Sequence, residues 1–180
     1  MGYSVELYFK ESGEKKIREL WKELHDLGIS KYMYDSGDRP HISLLIFDKK
    51  DCNIKLLKKS FKTFFERKNS FEIIFSSIGI FQGEEGVTFI GPKPTITLLE
   101  LQEDFFNKIK NLCVAEQVWE YYMPEYWVPH CIMTIDTTSE EQMMAFDMLR
   151  KRFRNLKVVV ESVGLVEFNP SLSIEEIKFN

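Results

Sequence analysis

"RPHISLLIFD" at residues 39–48 and "WVPHCIMTID" at residues 127–136 decide how this 180-residue chain is interpreted. In both stretches a Pro-His pair opens an apolar run of the kind that is typical of a strand. The chain contains three histidines, and two of them, His41 and His130, therefore occupy matching positions 89 residues apart. Side chains alternate between the two faces of a strand, so Ser43 lies on the same face as His41, opposite a more apolar face.

A second similarity between the halves follows each motif. A shift of 85 residues aligns "FEIIFSSIG" at residues 71–79 with "LKVVVESVG" at residues 156–164. Each half then contains a strand opened by Pro-His, a helix, a long strand with a Ser-apolar-Gly bend, and a final strand. We predict a bilobal, duplicated α+β fold with two mostly antiparallel sheets, helices outside and a central groove. It is a single domain over residues 1–180, and its two pseudo-symmetric lobes meet near residues 92–97.

Two helix starts are marked by a capping-box pattern, in which Ser or Thr is followed three residues later by Glu or Gln. Thr97 with Glu100 fits this pattern before one apolar stripe, and Thr138 with Glu141 fits it before another. We therefore expect a helix to begin at each position.

The two matched histidines suit acid–base chemistry. If a pseudo-twofold axis relates the halves, His41 and His130 converge in the groove between the lobes. An imidazole has an ordinary pKa of ~6.5, so one ring of a pair can be neutral and the other charged near pH 7. The neutral ring takes a proton from an attacking hydroxyl or water, and the charged ring gives one to the leaving oxygen. The pattern predicts His41 and His130 as catalytic residues, with the Ser43 hydroxyl as a hydrogen-bond donor to a phosphate oxygen.

The composition limits the possible partners. Hydrophobic residues make up 44% of the chain, charged residues 29%, and the formal net charge is −4. A protein that coats long nucleic acids needs a basic surface, so we expect no long nucleic acid as a partner. A small pocket for one phosphate is compatible with this charge, because one or two local cations are enough.

Cysteine usage and hydropathy indicate the cellular setting. The three cysteines, Cys52, Cys113 and Cys131, are odd in number and include no CxxC pair, which disfavours a disulfide framework and a zinc site. No apolar run approaches the ~20 residues that a membrane span needs. We expect a cytoplasmic protein with no membrane partner.

The chain resembles the two-histidine (2H) phosphoesterase superfamily, which is also described as 2′-5′ RNA ligase-like or cyclic phosphodiesterase-like. That family carries one His-x-(Ser/Thr)-apolar motif in each lobe of a bilobal α+β fold, and "HISL" at residues 41–44 fits it fully. Family members act on 2′,3′-cyclic phosphates, related cyclic nucleotides or 2′-5′ linkages. The resemblance implies acid and base roles for His41 and His130, a phosphate contact for Ser43, and no metal or other cofactor.

The second motif departs from the family pattern. It reads "HCIM" at residues 130–133, so Ile132 stands where the family has Ser or Thr. Ile132 cannot donate a hydrogen bond to phosphate. Thr134 shares the predicted face and lies a further ~6.6 Å along the strand. It is therefore the candidate for the second phosphate contact.

Three further residues are weaker candidates for substrate binding. Arg39 precedes the first Pro-His pair and can lie near a phosphate, or it is a surface residue. Tyr126 and Trp127 belong to a crowd of aromatic residues before His130 and can stack on a nucleobase, or they fill the base of the second lobe.

Three hypotheses follow from different classes of function. The first is a metal-independent phosphodiesterase that opens a 2′,3′-cyclic or 2′-5′ phosphodiester of a small nucleotide or an RNA end. The second is a degenerate member of the same fold that binds a nucleotide or phosphate without turnover, as Ile132 suggests. The third is a scaffold without a ligand. Neither the division of acid and base roles nor an oligomeric state follows from the sequence.

Overall fold

The computed structural model describes residues 2–49, 52–112, 118–168 and 171–180, and Cys113 lies outside them. The strands are β1 (Gly2–Phe9), β2 (His41–Asp48), β3 (Phe71–Ile80), β4 (Thr88–Pro92), β5 (Cys131–Thr134), β6 (Leu156–Phe168) and β7 (Leu172–Lys178). The α-helices are α1 (Glu11–Asp26), α2 (Tyr32–Asp35), α3 (Ile54–Phe65), α4 (Ile96–Ile109) and α5 (Ser139–Arg152), and a short 3₁₀ helix spans Glu120–Tyr122. The predicted combination of antiparallel strands and helices is confirmed.

All seven strands are hydrogen-bonded in one antiparallel sheet. Their order is β2-β1-β6-β3-β4-β5, and β7 also pairs with β6. The 13-residue strand β6 joins the two ends, because its first half pairs with β3 and its second half pairs with β1 and β7. The two sheets predicted from the sequence are therefore replaced by one continuous sheet, since a long central strand serves both ends.

The pairing of β3 with β6 connects the two stretches that the 85-residue shift aligns. Ile73 lies opposite Val158, and the flanking pairs are Phe71 with Val160 and Phe75 with Leu156. The pairs are symmetric under the 85-residue shift, because the shift converts the pair Phe71–Val160 into the pair Phe75–Leu156. This symmetry is expected when two similar strands pair in antiparallel orientation. Strands on either side of residues 92–97 also pair directly, as β1 does with β6. The lobe boundary stays a prediction.

The helices bury one face each against the sheet. In α1 the spacing of Ile17, Trp21 and Leu24 forms a buried stripe. The capping box of Thr138 and Glu141 is confirmed at the start of α5. The box predicted at Thr97 is wrong, because α4 begins earlier, with Thr95 accepting a hydrogen bond from the Leu98 amide. Among the described residues, none of the helices is long and apolar enough to cross a membrane.

The two aligned glycines, Gly79 and Gly164, each lie beneath an aromatic ring from a neighbouring strand. A Cβ on Gly79 would come within 2.3 Å of the Phe89 ring, and a Cβ on Gly164 within 2.5 Å of the Tyr8 ring. The same two rings reach the histidines of the motifs, with ring centroids 5.6 Å apart for Phe89 and His130 and 6.3 Å apart for Tyr8 and His41. The Ser-apolar-Gly bend therefore makes room for a ring that packs beside a motif histidine.

Gly79→Ala should destabilise the protein by about 1–3 kcal/mol, because the Phe89 ring would have to move out of a well-packed position. Denaturant unfolding measures the change, and Ser76→Ala, at an exposed position of the same strand, is the matched control, expected to stay within about 0.5 kcal/mol of the parent. A free energy of unfolding for Gly79→Ala equal to that of the control would contradict the proposed packing.

Candidate functional site

The two motif histidines are oriented in the same way by their own backbone. His41 Nδ1 lies 2.7 Å from the carbonyl oxygen of Arg39, and His130 Nδ1 lies 2.7 Å from that of Val128. A carbonyl oxygen only accepts, so Nδ1 carries the hydrogen in both rings and Nε2 is left for other partners. Pro40 and Pro129 separate each carbonyl from its histidine and hold the preceding residue extended. The repeated Pro-His pair therefore fixes the tautomer and direction of both rings.

Direct contacts bring the two motifs together. The backbone of His41 hydrogen-bonds to the thiol of Cys131, the residue after His130. The indole Nε1 of Trp127 donates to the carbonyl oxygen of Ser43 at 3.0 Å. The charge of His41 is also one of the causes that lower the pKa of His130. The two histidines predicted to act together are thus neighbours.

His130 lies among aromatic rings. Ring centroids are 4.8 Å apart for Phe81, 5.6 Å for Phe89 and 6.4 Å for Tyr122. Burial in these surroundings is the largest cause that lowers the pKa of His130 to about 4, against the smaller opposing effect of the Val128 carbonyl. The residue keeps part of its surface open to solvent. His130 is therefore neutral at pH 7 and able to accept a proton.

Phe81→Ala should raise the pKa of His130 from about 4 toward the ordinary value of 6.5, because water would reach the imidazole. Titration of the ring signals by NMR measures this, with Phe106→Ala, a partly buried aromatic on α4, as the control that leaves the His130 curve in place. An unchanged His130 curve in Phe81→Ala would show that the aromatic neighbours do not set its protonation.

His41 has polar surroundings instead. The Glu6 carboxylate oxygen Oε2 lies 3.6 Å from His41 Nδ1. The Tyr8 hydroxyl donates to the same oxygen at 2.7 Å, and the Ser4 hydroxyl donates to the other carboxylate oxygen. Burial, followed by the nearby Glu6, raises the pKa of Tyr8 well above its ordinary value, so Tyr8 remains a donor. Neither Glu6 nor Tyr8 was singled out from the sequence, where they look like ordinary positions of an alternating strand.

Arg39 is engaged by acidic side chains. Its guanidinium donates to Glu14 at 2.7 and 3.0 Å and to Glu176 at 3.0 Å, and it lies 4.1 Å above the centre of the Tyr8 ring. The nearby carboxylates raise its pKa despite partial burial. A phosphate at Arg39 would have to compete with these two ion pairs.

Both hydroxyl candidates are buried and hydrogen-bonded within the protein. Ser43 is buried on β2, and its side chain hydrogen-bonds to the hydroxyl of Tyr122. Thr134 is completely buried, and its hydroxyl accepts from the Thr88 amide at 3.2 Å and donates to the Gly86 carbonyl at 3.3 Å. Thr134 thus holds the loop before β4 against β5, and its hydroxyl is already occupied.

The two aromatic candidates, Tyr126 and Trp127, differ in their exposure to solvent. Trp127 is buried and uses its indole N–H on Ser43, so it links the loop before His130 to the first motif. Tyr126 is 56% exposed and is available to a ligand at the surface. Tyr122, another aromatic residue of that loop, contacts both Ser43 and the His130 ring. Its hydroxyl could not be distinguished from those around it without the fold.

In residues 2–49, 52–112, 118–168 and 171–180, no three His, Cys, Asp or Glu side chains are grouped so that they could hold a metal ion.

Comparisons with known proteins identify the family and the fold of the chain. Residues 9–171 match the family model of the 2′-5′ RNA ligase superfamily. The structure is similar to TT0787 of Thermus thermophilus, with a TM-score of 0.64, 16% identity, and coverage of 99% of this chain and 98% of that one. It is also similar to E. coli LigT complexed with 3′-AMP, with a TM-score of 0.57, 12% identity, and coverage of 99% and 98%.

A eukaryotic structure shares the same fold. Usb1 of Kluyveromyces marxianus matches with a TM-score of 0.51, 11% identity, and coverage of 96% of each chain. A search of curated protein sequences finds no match. At these identities the likeness to solved structures shows the fold, and the family match covers most of the chain.

Proposed function

Because the chain belongs to the 2′-5′ RNA ligase superfamily, we propose that it is a metal-independent phosphodiesterase that opens 2′,3′-cyclic or 2′-5′ phosphodiesters of nucleotides or short RNA ends. The observation that carries this proposal is the pair of matching Nδ1–carbonyl hydrogen bonds at His41 and His130. They leave two imidazole Nε2 atoms on neighbouring motifs for proton transfer.

The proposed reaction on a cyclic phosphate is balanced by two proton transfers. One imidazole removes a proton from water, and the water oxygen forms a bond to phosphorus. The bond from phosphorus to the 2′ or 3′ oxygen breaks, and the other imidazole gives that oxygen a proton. The product is a phosphomonoester with a free hydroxyl. Each proton transfer contributes roughly 10²–10⁴ in rate.

Small phosphate-bearing ligands fit the proposal. LigT has been crystallised with 3′-AMP, with phosphate, with NADP+ and with ATP. In the proposed complex the Ser43 hydroxyl, which bonds to Tyr122 in this structure, would turn to a non-bridging phosphate oxygen. A cytoplasmic setting, which the cysteine usage favours, is part of the proposal.

One observation favours a second candidate, a protein of the same fold that binds a nucleotide or phosphate without turnover. Ile132 has no hydrogen-bond donor, and the Thr134 hydroxyl is used within the protein. The second phosphate contact that the family motif provides therefore has no evident substitute at these two positions.

A panel assay separates the two candidates. The purified protein is incubated with EDTA and with 2′,3′-cyclic nucleotides and 2′-5′ dinucleotides, and products are resolved by chromatography. The phosphodiesterase gives phosphomonoester products in EDTA, whereas the binding protein retains the ligand unchanged. Turnover that is abolished by EDTA and restored by a divalent ion would contradict the two-histidine mechanism.

A further inference from the structure

The aromatic loop before the second motif lies along strand β2 and is hydrogen-bonded to it near both of its ends. The Trp119 amide donates to the carbonyl oxygen of Ile46, and the Trp127 indole N–H donates to that of Ser43, each at 3.0 Å. Because both bonds go to the backbone of β2, the loop residues between them are held beside the first motif.

Gln102 of α4 fastens the middle of this loop. Its side chain is buried, and the amide nitrogen Nε2 donates to the carbonyl oxygen of Tyr122 at 2.8 Å and to that of Leu44 at 3.3 Å. Leu44 belongs to the first motif, so one amide group joins the loop to that motif. A buried amide with both of these bonds made resists displacement of either backbone. The position of Tyr122 is therefore fixed relative to β2.

The side chain of Tyr122 lies between the two motifs. Its hydroxyl is hydrogen-bonded to the Ser43 side chain, and its ring centroid is 6.4 Å from that of His130. Burial is the largest cause that raises the pKa of Tyr122 above its ordinary value, so the phenol keeps its proton and remains a donor. The buried phenol thus places a second neutral hydroxyl next to that of Ser43.

We propose that Tyr122 is a phosphate-binding residue whose hydroxyl donates to the same phosphate as the Ser43 hydroxyl. This inference rests on the proposed function, because it names a further contact of that site. When a phosphate enters, Ser43 turns from Tyr122 to one non-bridging oxygen, and the Tyr122 hydroxyl donates to the other. A hydrogen bond to an anionic oxygen is stronger than one between two neutral hydroxyls, which favours this exchange of partners.

Two other hydroxyls close to the motifs have partners that hold them more firmly. The Tyr8 hydroxyl donates to the Glu6 carboxylate at 2.7 Å, and the Thr134 hydroxyl donates to the Gly86 carbonyl oxygen at 3.3 Å. Neither of these acceptors can turn to a phosphate, because a carboxylate and a carbonyl oxygen donate no hydrogen. The partner of Tyr122 is instead a hydroxyl, which can itself turn to the phosphate and release Tyr122.

Tyr122→Phe tests the proposal, because it removes the hydroxyl and keeps the ring beside His130. The Kd of inorganic phosphate, measured from the NMR ring signals of the histidines, should rise about 10–100-fold, as expected for the loss of one hydrogen bond to a charged group. Tyr121→Phe makes the same chemical change at the neighbouring position, which is 72% exposed, and should leave the Kd unchanged. Equal Kd values for the two variants would overturn the proposal.

A second comparison separates a direct contact from a role in positioning Ser43. In the Ser43→Ala background, Tyr122→Phe should still raise the Kd of phosphate by about tenfold or more, because the phenol makes its own bond to the phosphate. A phenol that only orients the Ser43 hydroxyl has nothing to orient in that background. A Kd that Tyr122→Phe leaves unchanged there would contradict a direct contact.

The parent protein offers a measurement that does not depend on the folding of any variant. In a titration with inorganic phosphate, the NMR ring signals of Tyr122 should shift along the same saturation curve as those of His41 and His130. The ring signals of Tyr121 should not respond. Signals of Tyr122 that stay in place while both histidines respond would overturn the proposal.

These outcomes distinguish failure of this inference from failure of the proposed function. Phosphate binding that does not depend on the Tyr122 hydroxyl, or turnover by a protein that binds no phosphate, overturns the inference alone. A protein that binds phosphate but turns over no substrate of the panel overturns the phosphodiesterase, and Tyr122→Phe then still decides whether the phenol contacts the phosphate. The absence of both binding and turnover overturns both.

Discussion

Replacing either His41 or His130 with alanine should lower kcat/KM by about 10²–10⁴, because each replacement removes one proton transfer from the transition state. Initial rates with a 2′,3′-cyclic nucleotide measure the loss. His25→Ala is the matched control, since His25 lies beside Asp26, Asp35 and Tyr34 at the end of α1 and should not affect turnover.

The double variant should be little slower than either single variant. Groups that act as a unit in one reaction give non-additive losses, since removing the first partner already abolishes most of the benefit of the second. Losses that multiply, or a single variant that retains full activity, would mean that the two imidazoles do not act in one proton-transfer sequence.

Ile132→Thr should raise kcat/KM by roughly 10–100-fold. A hydrogen bond to a charged group contributes about 1.5–3 kcal/mol, and about 1.4 kcal/mol corresponds to tenfold in rate. The exchange keeps a β-branched side chain on the strand. The Ile132 carbonyl is held by the indole of Trp21 at 2.9 Å, which anchors the backbone of the new residue. Steady-state kinetics with the same cyclic nucleotide measure the gain.

Thr134→Val is the control for this prediction. It removes a fully buried hydroxyl that binds the Thr88 amide and the Gly86 carbonyl, so it should cost about 1–3 kcal/mol of stability. The turnover of the folded fraction should stay the same. Lost turnover in Thr134→Val, together with no gain in Ile132→Thr, would show that Thr134 contacts the phosphate and would contradict this account of the second motif.

The matching orientation of His41 and His130 could be predicted from the sequence because the signal is local. A Pro-His pair at the start of an apolar run sets the backbone before the ring and the face on which the ring lies. Both properties depend on neighbours within two residues. In the structure this pattern produces the hydrogen bond from each histidine Nδ1 to the carbonyl oxygen two residues earlier. The absence of a hydroxyl at Ile132 could also be predicted, because it is a property of the motif itself.

Contacts between distant strands could not be predicted. Strand β6 was expected to belong to one sheet, yet its length allows it to pair with β3, β1 and β7. Thr134 was placed on the histidine face by simple alternation. Its hydroxyl instead meets the turn before β4, where the β4–β5 register shifts between Thr88 and Phe89.

The ion pairs of Arg39 could not be predicted either, because their partners are distant in the sequence. Arg39 precedes the first motif, but its partners Glu14 and Glu176 come from α1 and β7, and only the tertiary fold brings them together. Glu6 likewise lies near His41 only because β1 pairs with β2. The sequence could identify the two candidate histidines but not the surroundings that distinguish them.

A titration with inorganic phosphate, followed through the NMR ring signals of the three histidines, tests most directly the proposal that His41 and His130 act on the same phosphate. We predict that both signals shift along one common saturation curve, that His25 does not respond, and that replacing either motif histidine with alanine weakens the response of the other. Signals of His41 and His130 that saturate at different phosphate concentrations, or a response of only one of them, would contradict a shared phosphate site.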